Sequence, residues 1–409
     1  MIITAFFLLF AVCFSYADGA PVQLSAPEDL LLLAQDPSGD FVLTEDIYLD
    51  PDTAWIPPVF SGHLDGQGHT IYNARATRFA EETRTVYDGN YKEYDGAFAG
   101  FFGILDGAVV ENLNLVNASV FIPDSTACVF ASPLAGLMEN GAVVRNCSVQ
   151  GYADISTSGH CFGVGGFAGY GSGRIESSSA DVILSCVDTD AEYKDEQFMG
   201  GAYSAGYIDL VDCKIRIDGY DSDHGYVHNG GLVGMYIIYP KGTSYAGEIR
   251  NNHVEGRIRF FEDNRDRRAY CAPYIGEVLQ WTYEWGGCTE DFERDEVFTY
   301  DEILKPCPHG ELYWTETTVE PDYGVQGYRE LCCTECDFAY RTDYRAPLKQ
   351  EIRVLDTAAA EEAVSEAQEA VKAQQGLDPK ALAGVFIGGA AILAVLILYG
   401  KQKGKGGRH

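Results

Sequence analysis

The sequence predicts an all-β protein, a parallel β-helix in which short strands stack coil upon coil. Two observations predict this fold. A four-residue phrase recurs at a spacing of about 33 residues, and each of its first copies is followed by a segment in which apolar and polar residues alternate. The composition agrees, because 45 Gly and 26 Tyr among 409 residues are typical of turn-rich β structure.

The recurring phrase has Gly or Pro at its first position and Gly at its last. Its copies begin at Gly100, Pro133, Gly166, Gly231 and Pro273, and a degraded copy begins at Gly201. Glycine at these positions is typical of corners where the backbone turns tightly and neighbouring coils approach each other.

The alternating segment supplies two columns of equivalent positions. The first column contains Leu113, Cys147, Ser178, Cys213 and Asn252. The second, two residues later, contains Leu115, Val149, Ala180, Ile215 and Val254. Since side chains along a strand alternate between faces, both columns are expected to point into the solenoid.

Cys147 and Cys213 share a column but lie two repeats apart. Stacked strands lie about 4.8 Å apart, so their Cα atoms are expected to be about 9.6 Å apart. That distance exceeds the reach of a disulfide. Both are therefore predicted to be buried free thiols.

The start of the solenoid also has a local signature. Ser25 followed by Glu28 predicts a capping box for a short helix, and the apolar run from Leu30 to Ala34 is expected to cover the open end of the first coil. Glu28 and this apolar run belong to the phrase APEDLLLLAQDPSGDFVLTEDIYLD, and FSGHLDGQGHTIYNA comes after it.

These phrases and the repeated corners resemble those of bacterial and archaeal cell-surface proteins that carry the GLUG motif. The resemblance covers about residues 26–290. It implies a right-handed parallel β-helix, with residues 18–60 as lead-in and cap and residues 61–295 as the GLUG-type β-helix. It implies a fold more than a function.

Two apolar segments predict the cellular location. Residues 1–17 are predicted to be a signal peptide, because a continuous apolar run ends in small residues. Residues 380–400 include 19 uncharged residues, enough for one transmembrane helix. The basic tail at 401–409 predicts a cytoplasmic C-terminus by the positive-inside rule. The expected location is the cell membrane, with a single pass and the N-terminus outside.

The charge excludes one class of partner. The formal net charge is −32, from 29 Lys and Arg against 61 Asp and Glu. Nucleic-acid binding requires clustered cations, so it is not expected. An extracellular glycan or protein is the expected partner.

The segment after the repeats is rich in cysteine. Residues 296–350 are predicted to be a small ribbon module in which Cys307, His309, Cys333 and Cys336 hold one structural zinc. Disulfides are the competing use of these cysteines outside the cell, and Cys332 offers a further partner. Residues 351–379, rich in Ala and Glu, are predicted to be a helical stalk.

Aromatic residues supply the candidate binding positions. Trp281, Tyr283 and Trp285 alternate along one predicted strand, and flat aromatic rows stack on sugars. The alternative is that these rings face the core. Tyr87 and Tyr91 lie in the first long insertion, where loops carried by a rigid scaffold commonly form binding sites.

The sequence contains acidic groups but no recognisable catalytic motif. The acidic groups and their neighbouring histidines are Asp188, Asp190, Asp195, Glu196, Asp221, Asp223, His224 and His228. In so acidic a chain these are interpreted as solvated loops, with glycosidic cleavage or Ca²⁺ binding as alternatives. The sequence thus predicts a non-enzymatic, adhesin-like protein that binds matrix or glycan. The alternative is a carbohydrate-active β-helix enzyme, a polysaccharide lyase or hydrolase.

Overall fold

The chain forms a parallel β-solenoid whose coils cross three sheets, here named A, B and C. The computed structural model describes residues 20–189, 196–221, 226–239, 247–261, 269–278, 283–293, 297–298, 314–322, 325–334 and 339–348. The predicted signal peptide, stalk, transmembrane helix and basic tail lie outside these residues. No helix within them is long and apolar enough to cross a membrane.

Sheet A contains two strands from most coils, separated by a short corner. Among the described residues its strands are Val22–Leu24, Asp40–Leu43, Val59–Phe60, His63–Asp65, Phe102–Asp106, Val109–Glu111, Ala135–Glu139, Val143–Arg145, Ala168–Glu176, Tyr203–Val211, Val233–Tyr236, Gly247–Arg250, Ile275–Val278 and Tyr283–Gly286. The strands of the predicted lead-in thus already pair within the solenoid.

Sheets B and C complete each coil. The strands of sheet B are Ile47–Tyr48, Thr70–Tyr72, Arg75–Ala76, Asn114–Ser125, Ser148–Thr157, Ser179–Asp188, Lys214–Asp221, His253–Phe261, Thr289–Glu293 and Val297–Phe298. Those of sheet C are Arg84–Tyr87, Glu93–Ala99, Cys128–Ala131, Cys161–Gly165, Glu196–Gly200, Tyr226–Gly230 and Ala269–Ala272. The chain passes from C through A to B and then begins the next coil.

The register confirms the predicted inward columns. Leu115 pairs with Val149, and the ladder continues in register through Ala180 and Ile215 to Val254. All five residues are buried, as are the members of the other column. Cys147 and Cys213 are buried free thiols, as predicted. The alternation of the sequence therefore gave the correct face and register of sheet B.

Close approach of backbones explains the glycines of the repeated phrase. A Cβ atom added at Gly166 would lie 2.0 Å from the carbonyl oxygen of Gly201, and one added at Gly201 would lie 2.2 Å from that of Gly231. Real Cβ atoms do not approach backbone oxygens so closely. A side chain at this corner would therefore push successive coils apart.

A second apolar cluster lies between sheets A and C, beside the main core. Sheet C contributes Phe98, Phe130 and Phe198, and their rings stack with centroids 6.4 Å apart at each step. Tyr170 of sheet A packs edge-on against Phe130 at 4.7 Å. The first insertion covers this cluster.

The N-terminal cap differs from the prediction. The structure has a 3₁₀ helix at Pro27–Leu31, followed by a short α-helix at Leu32–Gln35. Prediction of Ser25 and Glu28 as the capping pair is wrong, because Asp29 accepts hydrogen bonds from the backbone N–H groups of Ser25 and Ala26. Pro27 holds the first helical position, which places the N-cap at Ala26. Leu30 is buried, as expected of a cap.

A small antiparallel sheet, here named sheet D, packs on the first coils. Its strands are Trp314–Val319, Gly327–Cys333 and Ala339–Arg345, within the predicted Cys-rich module. Asn73 donates a hydrogen bond to the Tyr344 carbonyl at 2.7 Å and accepts one from the Tyr344 N–H at 3.2 Å. The Tyr72 and Tyr344 rings lie 5.3 Å apart. Segments 271 residues apart in sequence are thus in direct contact.

Candidate functional site

The outer face of sheet B carries two parallel columns of polar side chains. The first, here called the donor column, contains Ser148, Ser179, Lys214 and His253. The second, here called the acceptor column, contains Gln150, Asp181, Arg216 and Glu255. Each step along a column is one coil, so chemical groups repeat about every 4.8 Å.

Both columns line a groove of about 580 Å³ on this face. Its volume lies within the range of sites that bind small or extended ligands. Near one end, sheet B has a β-bulge at Asn117, an extra residue with a φ of 56° between Val116 and Ala118. A bulge bends its strand and increases the local twist. The groove therefore lies beside a local irregularity of an otherwise regular ladder.

Charge in the acceptor column is centred on one guanidinium. Arg216 lies 3.6 Å from a carboxylate oxygen of Asp181 and 3.9 Å from one of Glu255. Partial burial raises the pKa of Asp181, the Arg216 charge lowers it and the Glu255 charge raises it further, although the Asp181 side chain is still 52% exposed. The groove thus offers two carboxylates, each about half exposed, on either side of a cation.

The donor column has a different character. Lys214 is exposed, and within the described part of the chain no carboxylate lies within 4.0 Å of its ammonium group. His253 contacts the Thr289 hydroxyl through Nδ1 at 2.9 Å. The donor column therefore presents hydroxyl, ammonium and imidazole groups to a ligand.

The structure describes only the backbone position of part of the predicted aromatic row. Trp281 lies outside the described residues, whereas Tyr283 and Trp285 lie on a strand of sheet A. The register aligns Trp285 with Ile249, which in turn is aligned with Leu210. Ligand binding by this row stays a prediction.

Tyr87 and Tyr91 are half-buried over the second apolar cluster. The Tyr87 ring stacks on Tyr239 at 5.1 Å, and its backbone N–H donates to the Tyr170 hydroxyl at 3.0 Å. Neither tyrosine lines the groove on sheet B. Their predicted ligand-binding role is untested, but these contacts give Tyr87 a clear packing role.

The interpretation of the acidic groups as solvated loops is wrong for four residues. Asp188, Glu196, Asp221 and His228 are buried. They stand near the corner between sheets B and C, where strand ends still place side chains against the protein. Asp221 accepts a 2.6 Å hydrogen bond from Asn229, and Glu196 accepts one from the Asn90 amide at 3.0 Å. Asp190, Asp195, Asp223 and His224 lie outside the described residues.

Most residues of the predicted zinc site lie outside the described residues. Cys333 lies half-buried on sheet D, whereas Cys307, His309 and Cys336 fall outside the described residues. In the part of the chain that the structure describes, no group of three or more Cys, His, Asp or Glu side chains is arranged to hold a metal ion. Zinc binding stays a prediction.

Sequence reasoning missed the groove, although its signal was present. The alignment that gave the inward columns also contains the outward positions between and beyond them. Lys214 lies between Cys213 and Ile215, and Arg216 follows immediately. Reading the polar positions of each repeat as columns would have identified these residues.

The fold and groove define a class of protein, a parallel β-solenoid with a polar groove on one outer face. No model of a known protein family matches the sequence, and no curated protein matches it. Among solved structures, the chain is similar to one titled IgA1 Protease, with 19% identity and a TM-score of 0.42. The similarity covers 68% of this chain and 21% of that one, so this chain spans about a fifth of that structure. The resemblance to GLUG-motif proteins stays a prediction.

Proposed function

We propose that the protein is a membrane-anchored cell-surface protein that binds an extracellular glycan in the groove of sheet B. The observation that carries the proposal is the pair of polar columns, which repeats hydrogen-bonding groups at each coil. A polymer of similar sugars presents hydroxyls at regular intervals. A regular ladder therefore suits an extended glycan better than an irregular protein surface.

A second candidate, a carbohydrate-active enzyme, has one specific observation in its favour. Asp181 and Glu255 flank Arg216 in one column, and burial raises the pKa of Asp181. Two coil steps place their Cα atoms roughly 9.6 Å apart. Both carboxylates lie within 4.0 Å of the Arg216 guanidinium between them, so their carboxyl groups can lie closer together than the Cα atoms, toward the separation of about 6.5–9.5 Å in inverting glycosidases. Asp181 as acid and Glu255 as base would be the pair to test.

Incubating the full-length protein with a panel of plant and mucin glycans decides between these functions. The binding proposal expects retention of a glycan with no new reducing ends and no unsaturated products. Either product would overturn it in favour of the enzyme. In that case Asp181→Asn should abolish product formation while leaving binding measurable.

Matched variants locate the site. Arg216→Ala is expected to weaken retention by roughly tenfold, because the substitution removes the central charged donor of the groove. Arg145→Ala is the control, since Arg145 is likewise an exposed, ion-paired arginine but lies on sheet A. Equal effects of the two substitutions would place binding elsewhere.

A further inference from the structure

The two columns of the groove differ in the groups that they offer a ligand. The donor column contains no carboxylate: Ser148 and Ser179 supply hydroxyls, Lys214 an ammonium group and His253 an imidazole. The acceptor column contains Asp181 and Glu255, whose ionised carboxylates only accept hydrogen bonds. A ligand lying across both columns thus meets an ammonium group and no carboxylate on one side, and two carboxylates that flank Arg216 on the other.

Lys214 is the residue that distinguishes the sides. Arg216 already shares its charge between Asp181 and Glu255. Lys214 has no such partner among the described residues, and it lies at the centre of the donor column, between Ser179 and His253. An anionic group placed here would gain a charge-assisted hydrogen bond without displacing an existing ion pair.

The large negative net charge of the chain does not prevent an anionic ligand from binding in the groove. At physiological ionic strength the Debye length is about 8 Å, so exposed charges farther away are largely screened. The charges nearest to a bound ligand are those that line the groove. These comprise two cations and two carboxylates, and the carboxylates lie in the acceptor column only.

We infer that the groove selects acidic glycans, whose carboxylate or sulfate groups lie over Lys214 while their hydroxyls donate to Asp181 and Glu255. A neutral glycan satisfies the acceptor column but leaves Lys214 without a charged partner. A linear polyanion without hydroxyls satisfies Lys214 but meets the two carboxylates unfavourably. An acidic sugar carries both kinds of group. This inference rests on the proposed function.

One glycan backbone in several charge states tests the inference. The full-length protein is titrated with chondroitin sulfate, with desulfated chondroitin, which keeps the carboxylate, and with desulfated, carboxyl-reduced chondroitin, which is neutral. Polygalacturonate and its full methyl ester form a second pair. At least one acidic form is expected to bind roughly tenfold more tightly than its neutral counterpart. Within the chondroitin series, loss of binding on desulfation indicates recognition of sulfate, and loss on carboxyl reduction indicates recognition of carboxylate.

Lys214→Gln should remove this preference, because glutamine keeps a hydrogen-bonding group but loses the charge. Lys92→Gln, at an exposed lysine of the first insertion, is the control and should leave binding unchanged. Neutral forms that bind as tightly as acidic forms would overturn the inference and leave glycan binding intact. An acidic preference that survives Lys214→Gln would overturn it as well. Retention of no glycan in the series or in the wider panel would overturn the proposed function itself.

Discussion

A line of charged side chains crosses successive coils on the outer face of sheet A. Asp40 and Glu111 each contact one ring nitrogen of His63, both at 2.8 Å. Arg145 of the next coil pairs with Glu111. Hydrogen bonding to Arg145, followed by that to His63, lowers the pKa of Glu111 despite partial burial. Single residues thus connect strands that are far apart in sequence.

The His63 contacts predict a dependence of stability on pH. Partial burial acts to lower the pKa of His63, but hydrogen bonds to Glu111 and Asp40 outweigh it, so the pKa is raised. The stabilisation is therefore complete below the unfolded-state pKa of about 6.5 and is lost as the pH rises through the higher folded-state value. Because the His63 side chain is 38% exposed, solvent screening is expected to keep the contribution below about 1 kcal/mol.

Thermal unfolding of the wild type and of His63→Gln at pH 5.5 and pH 8.5 checks this prediction. The difference in melting temperature between the two proteins should be larger at pH 5.5. His69→Gln, at another partly exposed histidine near an aspartate, is the comparison. A difference that grows with pH would contradict the assignment.

The buried thiols give a prediction of reactivity. Burial raises the pKa of both Cys147 and Cys213 to about 12. Only the thiolate is nucleophilic, and this shift from the ordinary value lowers its population by roughly a thousandfold. When the native protein is treated with iodoacetamide at pH 8, both cysteines should stay unmodified. Peptide mass spectrometry measures the modification.

Unfolding in denaturant before alkylation should make both thiols reactive. The half-buried Cys332 of sheet D serves as the internal comparison in the native sample. Modification of Cys147 or Cys213 in native protein at the rate of Cys332 would show that the ladder opens, or that the register is wrong.

Among the elements, sheet D is attached to the first coils by Asn73 and by two neighbouring tyrosines, Tyr48 and Tyr72. Asn73 is buried and bonds through its amide group to Leu49 and Tyr344, and it also accepts a hydrogen bond from the Asn117 amide. The Tyr48 ring stacks on Tyr72 at 4.4 Å, and the Tyr48 hydroxyl accepts a hydrogen bond from the Gln326 amide. Tyr72 aligns with Val116, a lining residue of the groove. Sheet D thus covers the continuation of the groove's acceptor column.

Replacing Asn73 should loosen this attachment. Asn73→Ala leaves buried backbone groups unpaired, at a cost of about 1–3 kcal/mol each. Hydrogen exchange of the backbone amides at 339–345 is expected to accelerate by at least roughly tenfold, since that corresponds to about 1.4 kcal/mol of lost protection.

The left-handed backbone of Asn73, with a φ of 63°, requires a matched variant. Asn73→Gly adopts this conformation without strain but also lacks the amide side chain. Faster exchange in both variants assigns the effect to the hydrogen bonds. Faster exchange in Asn73→Ala alone would assign it to the backbone, and unchanged exchange in both would mean that Asn73 does not hold sheet D.

At the scale of the whole molecule, self-repulsion opposes folding. The chain carries 61 acidic and 29 basic residues, and the ion pairs along the outer sheet faces are partly exposed, so each contributes little. Net charge far from zero destabilises a compact state. Screening by salt is therefore expected to stabilise the protein more than it weakens individual ion pairs.

The melting temperature should accordingly rise as NaCl increases from 10 to 200 mM at pH 7, a range over which the Debye length falls from about 30 Å to below 10 Å. The same series at pH 4.5, where many carboxylates are protonated, should show a smaller rise. A melting temperature that falls with salt at pH 7 would show that ion pairs outweigh repulsion.

The sequence by itself determined the solenoid and the register of sheet B. Period-two alternation is a local property, and its repetition aligned Leu115 with Val149 and Val254 without any structure. The same logic identified Cys147 and Cys213 as buried thiols. Repeats make this possible because each coil pairs with its nearest equivalent, so short-range pattern and long-range contact coincide.

Only the tertiary structure decided where the polar residues act. Lys214 and Arg216 are ordinary outward residues until packing places them together along one groove, and Asp221 is an ordinary loop acid until its strand end is buried. The contact of Tyr344 with Asn73 joins segments 271 residues apart that share no repeat. Apolar burial is encoded locally by alternation, whereas the curvature of a polar face and the docking of a separate sheet depend on packing between distant segments.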